Sequence, residues 1–416
     1  MVNCMRIQKL CIGLSLLILI QGCSRMPFIG GKEKAVMPAG RVSWVGDVPV
    51  LYLSGTPYQM GYQHGTLLKH EVRASVNNIT RFIRSGNRTP VFGGFLARQM
   101  LDQAWDRMEP HVPARYLQEM RGLADGAGIK LKTLERMHAL PELTATMCAS
   151  FAASGGMTAQ GRLIQIRNLD WAIESDVQSH AALLVYQPEG RKPFVSVGWL
   201  GFIGVISGMS QAGLSVSEIG AESIDISMDG IPMPFLLRRV LEEADSIEAA
   251  VDLVRWSPRT MGYNYLFADA RTRESAALET TRTRFSVFRP GQAVSSEYAM
   301  QVDDALFRSD FALSRDVRDL QLACKGKPTE PGLESPVESV AYRVRYLGQG
   351  QLLTQFKDRI NSEIAIAIAA AIAPASNIQS VVYAWPELWF ANAKGSDPAV
   401  RQLYQSVDVP ELFLAD

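Results

Sequence analysis

The chain has 416 residues, with 42 Lys and Arg balanced by 42 Asp and Glu, and 47% of its residues are hydrophobic. This length allows a large buried core in one or two domains. The balanced charge, without a basic patch or tail, predicts no nucleic-acid partner, and no metal-ligand spacing is present, so neither a metal nor another cofactor is expected.

The first 22 residues have the pattern of a bacterial lipoprotein signal peptide. Two basic residues precede an apolar run from Cys11 to Ile20, and the segment closes at Gly22-Cys23. The run is too short for a comfortable transmembrane helix, so we predict removal of residues 1–22 and lipidation of Cys23. Ser24 after the cysteine favours the outer membrane, with the protein facing the periplasm. A plain secretory signal or an N-terminal anchor helix is the alternative.

Helical patterns follow the signal. Residues 23–50 are predicted to be a tether on the lipid anchor, and residues 51–147 a helical N-terminal part. Apolar residues three and four apart between Leu68 and Ile83 predict one face of a helix. Further helices are predicted at about 97–108, 113–125 and 131–140.

After Thr146 the pattern changes to short strands separated by Gly and Pro. A helical block at 234–256 divides the strands, and the apolar run Ile364–Ile372 predicts a buried helix. This order predicts an α+β fold with two sheets between helical layers, and residues 51–416 in one domain. The predicted strands are 162–166, 182–186, 193–197, 202–206, 213–217, 263–268, 275–280, 379–383 and 388–391.

The cysteines direct attention to Cys148. After removal of the signal and lipidation of Cys23, the remaining thiols are Cys148 and Cys324. In an oxidising compartment these two could form a disulfide, and the other interpretation is one functional thiol and one bystander. Cys148 opens a predicted strand, a glycine-rich turn follows, and the next strand ends in Arg167-Asn-Leu-Asp170-Trp.

This arrangement resembles the N-terminal cysteine hydrolases of the isopenicillin-N acyltransferase-like family, the acyl-coenzyme A:6-aminopenicillanic acid acyltransferase-like proteins. Choloylglycine hydrolases, acid ceramidase and the N-acylethanolamine acid amidase have a similar layout. Residues 55–65 look like the N-terminal signature of the family, and residues 209–214 like its hairpin turn. The resemblance implies the Ntn-hydrolase αββα four-layer sandwich, with two mostly antiparallel sheets.

The resemblance also implies that the precursor cleaves its own Met147–Cys148 bond. Cys148 then begins a catalytic chain, residues 148–416, which stays associated with the preceding chain as a heterodimer. Cleavage frees an α-amine with an intrinsic pKa of about 8, which suits a general base for the adjacent thiol. Relatives commonly have a small or acidic residue before the cysteine, so Met147 departs from the family pattern.

Four further residues receive roles from the resemblance. Asp170 corresponds to the aspartate that orients the amine of the nucleophile, and Arg167 to an arginine that holds this aspartate or a polar substrate group. Asn264 corresponds to the asparagine of the oxyanion hole. The structural alternatives are a strand-end cap for Asp170, a surface ion pair for Arg167 and a turn or strand-pairing role for Asn264. Glu218 is similar to a glutamate near the nucleophile of the ceramidase-like relatives, and a structural role for it is equally open.

We therefore predict an autoproteolytically activated cysteine amidohydrolase, with acyl transfer as a variation. It would cleave the carbon–nitrogen amide bond of a small acylated substrate through an acyl-enzyme, and contact the membrane through its lipid anchor alone. A serine lipase or esterase that uses Ser210, in the loosely elbow-like sequence Gly208-Met-Ser-Gln-Ala212, is one alternative. A non-catalytic binding lipoprotein on the same fold is the other.

Overall fold

The computed structural model describes residues 40–85, 92–144, 147–324 and 341–414. The predicted signal peptide, residues 1–22, and the predicted lipidation site Cys23 lie outside the described residues. Within these four ranges, no helix combines the length and the apolar character needed to cross a membrane.

The strands form two sheets, which contain nine and six strands. In chain order the strands are β1 (Arg41–Val45), β2 (Val48–Gly55), β3 (Met147–Ala153), β4 (Ile164–Asp170), β5 (Ala181–Pro188), β6 (Phe194–Trp199), β7 (Ser207–Ser210), β8 (Leu214–Gly220), β9 (Tyr263–Asp269), β10 (Glu274–Thr280), β11 (Phe285–Phe288), β12 (Ala305–Arg308), β13 (Asn377–Ala384), β14 (Glu387–Asn392) and β15 (Gln405–Asp408). The larger sheet has the order β1-β2-β5-β6-β7-β8-β9-β10-β11, and the smaller has the order β12-β3-β4-β13-β14-β15. Neighbouring strands are antiparallel, apart from the parallel pair β2 and β5.

Helices cover the outer faces of both sheets. They are α1 (Pro57–Leu67), α2 (Lys69–Ser85), α3 (Phe92–Met108), α4 (Ala114–Ala127), α5 (Leu131–Ala139), α6 (Met233–Glu243), α7 (Ile247–Trp256), α8 (Arg315–Cys324), α9 (Gly348–Gln355) and α10 (Ser362–Ile372), with a π-helical turn at Ala341–Leu347 before α9. The helices α6 and α7 pack on β7–β10, α10 packs on β4 and β13, and β3 faces β8 and β9 across the sandwich. The predicted αββα arrangement is confirmed.

The strand β4 is buried along its whole length although four of its residues are polar. Alternate side chains point to opposite faces of a strand. Gln165 and Arg167 point between the sheets and bond Ser217 and Glu218 of β8, whereas Asn168 points outward and donates to the Ala369 carbonyl of α10. Buried polar side chains require partners, and those of β4 concentrate polar contacts at the centre of the molecule.

The predicted tether, residues 23–50, extends too far along the chain. Residues 41–50 belong to β1 and to the first part of β2, so the N-terminal part is not purely helical. Gly46, with φ of +58°, makes the turn between these strands, and β2 pairs in parallel with β5. The apolar side chains of β2, including Val50 and Leu51, are fully buried, which holds this segment on the larger sheet.

A second difference concerns residues 202–206, which were predicted to be a strand and instead form a loop between β6 and β7. Two buried histidines hold this loop. His64 Nε2 accepts the Gly201 N–H at 2.9 Å, and His138 Nε2 accepts the Ile203 N–H at 3.0 Å. Because side chains satisfy these backbone donors, the apolar loop stays buried without strand pairing.

The helices α1 and α4 make backbone contact at glycines of the predicted N-terminal signature. A Cβ atom on Gly61 would lie 1.9 Å from the Glu119 carbonyl oxygen, and one on Gly122 would lie 2.1 Å from the Tyr58 carbonyl oxygen. Any side chain at these positions would force the two helices apart.

We expect Gly61→Ala to lower the free energy of unfolding by about 1–3 kcal/mol, because the added methyl group has no space. Denaturant unfolding followed by circular dichroism measures this. Gly348→Ala in α9 is the matched control, since its Cβ would meet Ile372 Cγ2 at an ordinary 3.7 Å. Equal effects of the two substitutions would contradict the close packing of α1 on α4.

Candidate active site

Cys148 is the second residue of β3, and its thiol is free and fully buried. The Sγ atom lies 3.4 Å from Nη2 of Arg167 and 3.9 Å from Oε2 of Glu218. A thiol, a guanidinium and a carboxylate therefore meet between the two sheets. A disulfide to Cys324 is not formed, since Cys148 is free.

The Arg167–Glu218 ion pair spans the sandwich from β4 to β8. Arg167 Nη2 donates to Glu218 Oε2 at 3.0 Å, and both side chains are completely buried. Arg167 also donates from Nε to the Glu218 carbonyl at 3.2 Å and from Nη1 to Ser207 Oγ at 3.1 Å. This is a buried pair, so the surface ion pair considered for Arg167 is wrong.

Of the two roles expected for Arg167, which were to hold Asp170 or a polar substrate group, the contact with Asp170 is not formed. The two residues are three positions apart on an extended strand, so their side chains leave opposite faces. Asp170 is held instead by Arg345, from the π-helical turn, and by Asn377 Nδ2, which donates to its Oδ1 at 3.0 Å. Burial raises the pKa of Asp170, and the charge of Arg345 opposes that rise.

The backbone nitrogen of Cys148 has a partner that the sequence did not indicate. Its N–H donates to Oδ1 of Asp310 at 2.6 Å. Arg345 Nη1 donates to the other oxygen, Oδ2, at 3.0 Å, so Arg345 joins Asp310 to Asp170. In the intact chain Asp310, and not Asp170, contacts the nitrogen of Cys148. Burial raises the pKa of Asp310 to about 7.

Asn264 positions the turn that carries Asp310. Its Nδ2 donates to the carbonyl of Ser309 at 3.0 Å and to the carbonyl of Phe311 at 2.8 Å. An amide nitrogen has two hydrogens, and both are used in these bonds. Donation to an oxyanion, the role predicted for Asn264, would require the loss of one of them.

In the intact chain the surroundings of Cys148 favour the neutral thiol over the thiolate. Burial raises its pKa well above the usual range, and the charge of Glu218 adds to the rise, while Arg167 opposes it. A neutral thiol needs a base before it can attack a carbonyl. The carboxylate of Glu218 is in position to accept its proton.

An apolar cavity of about 60 Å³ borders Glu218, the residue whose carboxylate contacts the Cys148 thiol. Glu218 borders both the cavity and Sγ, and Leu169, another lining residue, is the β4 partner of Cys148 in the β3–β4 register. The other lining residues are Ile79, Met137, Leu140, Pro141, Thr144, Trp171, Val177, Trp199, Phe202, Ile206 and Met233. An apolar group bound here would lie against Glu218, the carboxylate in contact with the nucleophile.

The alternative nucleophile Ser210 lies in the β7–β8 hairpin, where its Oγ accepts the Leu214 N–H at 3.0 Å. Among the described residues, no histidine is hydrogen-bonded to it, so the serine–histidine contact of a serine hydrolase is not formed there. The same part of the chain contains no cluster of three or more His, Cys, Asp or Glu side chains that could hold a metal ion.

We expect Arg167→Leu to destabilise the fold by about 3–5 kcal/mol, because it removes the guanidinium that pairs with the buried Glu218 carboxylate. Equilibrium unfolding measures the loss. Arg107→Leu is the control, since Arg107 pairs with Asp229 while more than half exposed, and it should change stability little. A similarly small effect of both substitutions would show that the buried pair is not needed.

Comparison with known proteins identifies relatives over the segment that contains most of these residues. Residues 157–296 match the family described as acyl-coenzyme A:6-aminopenicillanic acid acyl-transferase. Cys148 lies just before this range, and Asp310 and Arg345 lie after it.

Curated proteins give matches of similar extent. Protein dcd1B of Dictyostelium discoideum is 32% identical over 261 residues, which cover 58% of this chain and 52% of that protein. Rat acid ceramidase is 23% identical, covering 62% of this chain and 69% of its own. The rat N-acylethanolamine-hydrolyzing acid amidase is 22% identical, covering 51% and 57%. The chain spans about half the length of the first of these relatives.

Solved structures are more distant. A Caenorhabditis elegans ortholog of the N-acylethanolamine-hydrolyzing acid amidase has a TM-score of 0.41 at 15% identity, covering 56% of this chain and 92% of its own. A mutant of the conjugated bile acid hydrolase from Clostridium perfringens has a TM-score of 0.37 at 14% identity, covering 64% and 93%.

Proposed function

We propose that this chain belongs to the acyl-coenzyme A:6-aminopenicillanic acid acyl-transferase family, whose pattern residues 157–296 match, and that it is a self-cleaving amide hydrolase with Cys148 as its nucleophile. The names of two relatives, acid ceramidase and an acylethanolamine-hydrolyzing amidase, describe amide hydrolases. The observation that carries the proposal is the buried Cys148 thiol in contact with both Arg167 and Glu218.

The Met147–Cys148 bond lies at the boundary between solvent and core. Met147 is 49% exposed, whereas Cys148 is fully buried. The Cys148 thiol would attack the Met147 carbonyl, with Glu218 accepting the thiol proton, and water would then open the thioester on the exposed side. Residues 148–416 would begin with a free amine and stay bound to the preceding chain as a heterodimer.

In the processed protein the α-amine of Cys148 replaces Glu218 as the base for the thiol. The thiolate attacks the substrate amide, and the resulting α-ammonium group gives the proton to the amine product as it leaves. Water then opens the acyl-enzyme, which restores the thiol. Arg167 Nη2, 3.4 Å from Sγ, stabilises the thiolate by donating a charge-assisted hydrogen bond. An acceptor amine in place of water would give acyl transfer.

The apolar cavity bordered by Glu218 supports an apolar acyl group as the recognised part of the substrate. Its lining is apolar except at Glu218 and Thr144, and shape and apolar area dominate binding in such sites. Several lining residues, among them Met137 and Leu140, precede the cleavage site, so both processed chains would contribute to the cavity.

We also propose that the protein is exported and anchored by a lipid on Cys23 in the outer membrane, facing the periplasm. The signal pattern of residues 1–22 supports this location. Acyl-coenzyme A would not be available there, which favours hydrolysis over transfer from that donor.

Cys148→Ala should give a single uncut chain without amidase activity, because both cleavage and catalysis need the sulfur. Intact-mass measurement and a panel of acyl amides test this. Ser210→Ala is the control and should be cleaved and active like the wild type. The serine mechanism would be favoured if Cys148→Ala were active, or if Ser210→Ala alone lost activity. An uncut, inactive wild type would favour the binding lipoprotein.

Ile206→Trp should fill the apolar cavity and raise KM for long-chain acyl amides at least about tenfold, with little change for acetyl amides. The reason is that contacts made equally in the bound substrate and the transition state affect KM when they are lost. Steady-state kinetics across acyl lengths measure the change. The control is Ile224→Trp, at a position 47% exposed and outside the cavity. An equal change in KM for every acyl length would contradict the assignment of the cavity.

A further inference from the structure

Asp310 is a largely buried acid, with 12% of its side chain exposed, in direct contact with the nitrogen of the bond that is proposed to break. The 2.6 Å bond from the Cys148 N–H reaches Oδ1, while Oδ2 accepts from Arg345 Nη1 at 3.0 Å. Asn264 fixes the backbone on both sides of Asp310 through the Ser309 and Phe311 carbonyls. An acid held this rigidly against a peptide nitrogen has a geometry suited to proton transfer.

We propose that Asp310 is the general acid of self-cleavage, which gives its proton to the Cys148 nitrogen as the Met147–Cys148 bond breaks. This inference rests on the proposed function, because it assumes that the bond is cleaved by the Cys148 thiol. Because Arg345 donates to Oδ2, we assign the proton of the neutral carboxyl group to Oδ1, the oxygen that accepts the Cys148 N–H in the intact chain.

The protons balance over the two steps. In the first step the bond from Sγ to the Met147 carbonyl carbon forms and the C–N bond breaks, while Glu218 takes the thiol proton and Asp310 protonates the nitrogen. The products are a thioester, an amine, neutral Glu218 and ionised Asp310. In the second step water opens the thioester and restores the thiol. The new Met147 carboxyl group returns its proton to Asp310, and Glu218 loses its proton to the amine, which becomes an ammonium group.

The charged groups around Asp310 are consistent with a proton-donating role at neutral pH. Arg345 faces it from the π-helical turn, Asp170 lies beyond Arg345 on β4, and Glu218 and the Cys148 thiol lie on β8 and β3. Burial raises the pKa of Asp310 to about 7. Arg345 and the hydrogen bond from the Cys148 N–H oppose the rise, and the negative charges of Asp170 and Glu218 contribute to it. Since the donor must be in its acid form, cleavage that depends on it slows as the pH rises above about 7.

The test is the pH dependence of the rate at which the full chain cleaves itself. The chain is made by cell-free synthesis and diluted into buffers from about pH 5 to 9. Intact-mass measurement then follows cleavage over time. In the wild type the rate should fall above about pH 7. Asp310→Asn should slow cleavage by about 100-fold at about pH 6, a usual size for general acid catalysis, and should lack the fall. Asp310→Glu should restore part of the rate. Asp269→Asn, which changes another buried aspartate away from Cys148, is the control and should behave like the wild type.

The outcomes separate this inference from the proposed function. Two results would overturn the role of Asp310 and leave Cys148 as the nucleophile. One is cleavage of Asp310→Asn at the wild-type rate. The other is a cleavage rate that no longer falls at alkaline pH in Asp170→Asn instead. A wild type that is active without cleavage overturns both. If Asp310→Asn fails to fold, as judged by circular dichroism, the wild-type profile decides, and a rate that does not fall above about pH 7 contradicts the proposal.

Discussion

The buried ion pair between Arg167 and Glu218 is the interaction on which the site depends. It joins the central strands of both sheets, and its guanidinium and carboxylate both border the Cys148 sulfur. A pair of charges removed from water is costly unless further hydrogen bonds satisfy it, and here Ser207 and the Glu218 carbonyl provide them. The pair therefore fixes the spacing of the sheets and the surroundings of the thiol together.

A second charged group surrounds the Cys148 nitrogen. Arg345 forms ion pairs with both Asp310 and Asp170. The polar groups near the nitrogen therefore differ from those near the sulfur. In the intact chain the sulfur contacts Arg167 and Glu218, and the nitrogen contacts Asp310. This division matches the chemistry of self-cleavage, in which the sulfur must lose a proton while the nitrogen gains one.

The sequence predicted the layers of the fold and the residues at the sulfur. Glycine spacing, strand patterns and the resemblance to cysteine hydrolases were sufficient to bring Cys148, Arg167 and Glu218 together. The side chains of Arg167 and Asp170 point to opposite faces of β4, and this was not predicted. The alternation of side chains along a strand would have been sufficient to predict it. The loop at 202–206 was predicted as a strand because its apolar composition suits one, whereas its backbone is held by His64 and His138.

Asp310 and Arg345 were missed because tertiary structure alone brings them to the site. They lie far along the chain from Cys148, and neither belongs to a motif of fixed spacing. The available signal was weak, namely an acid shortly after the buried strand Ala305–Arg308. The two strands at 41–55 were missed for a related reason, since their burial depends on the distant strand β5.

The central claim is that catalysis uses the sulfur of Cys148 after its nitrogen has become a free amine. The most direct measurement is peptide mass spectrometry of active protein quenched with acid during turnover of an acyl amide. We predict a peptide that begins at Cys148, with a free amine and an acyl group in thioester linkage on its sulfur. An acyl group on Ser210, or on a Cys148 still joined to Met147, would contradict it.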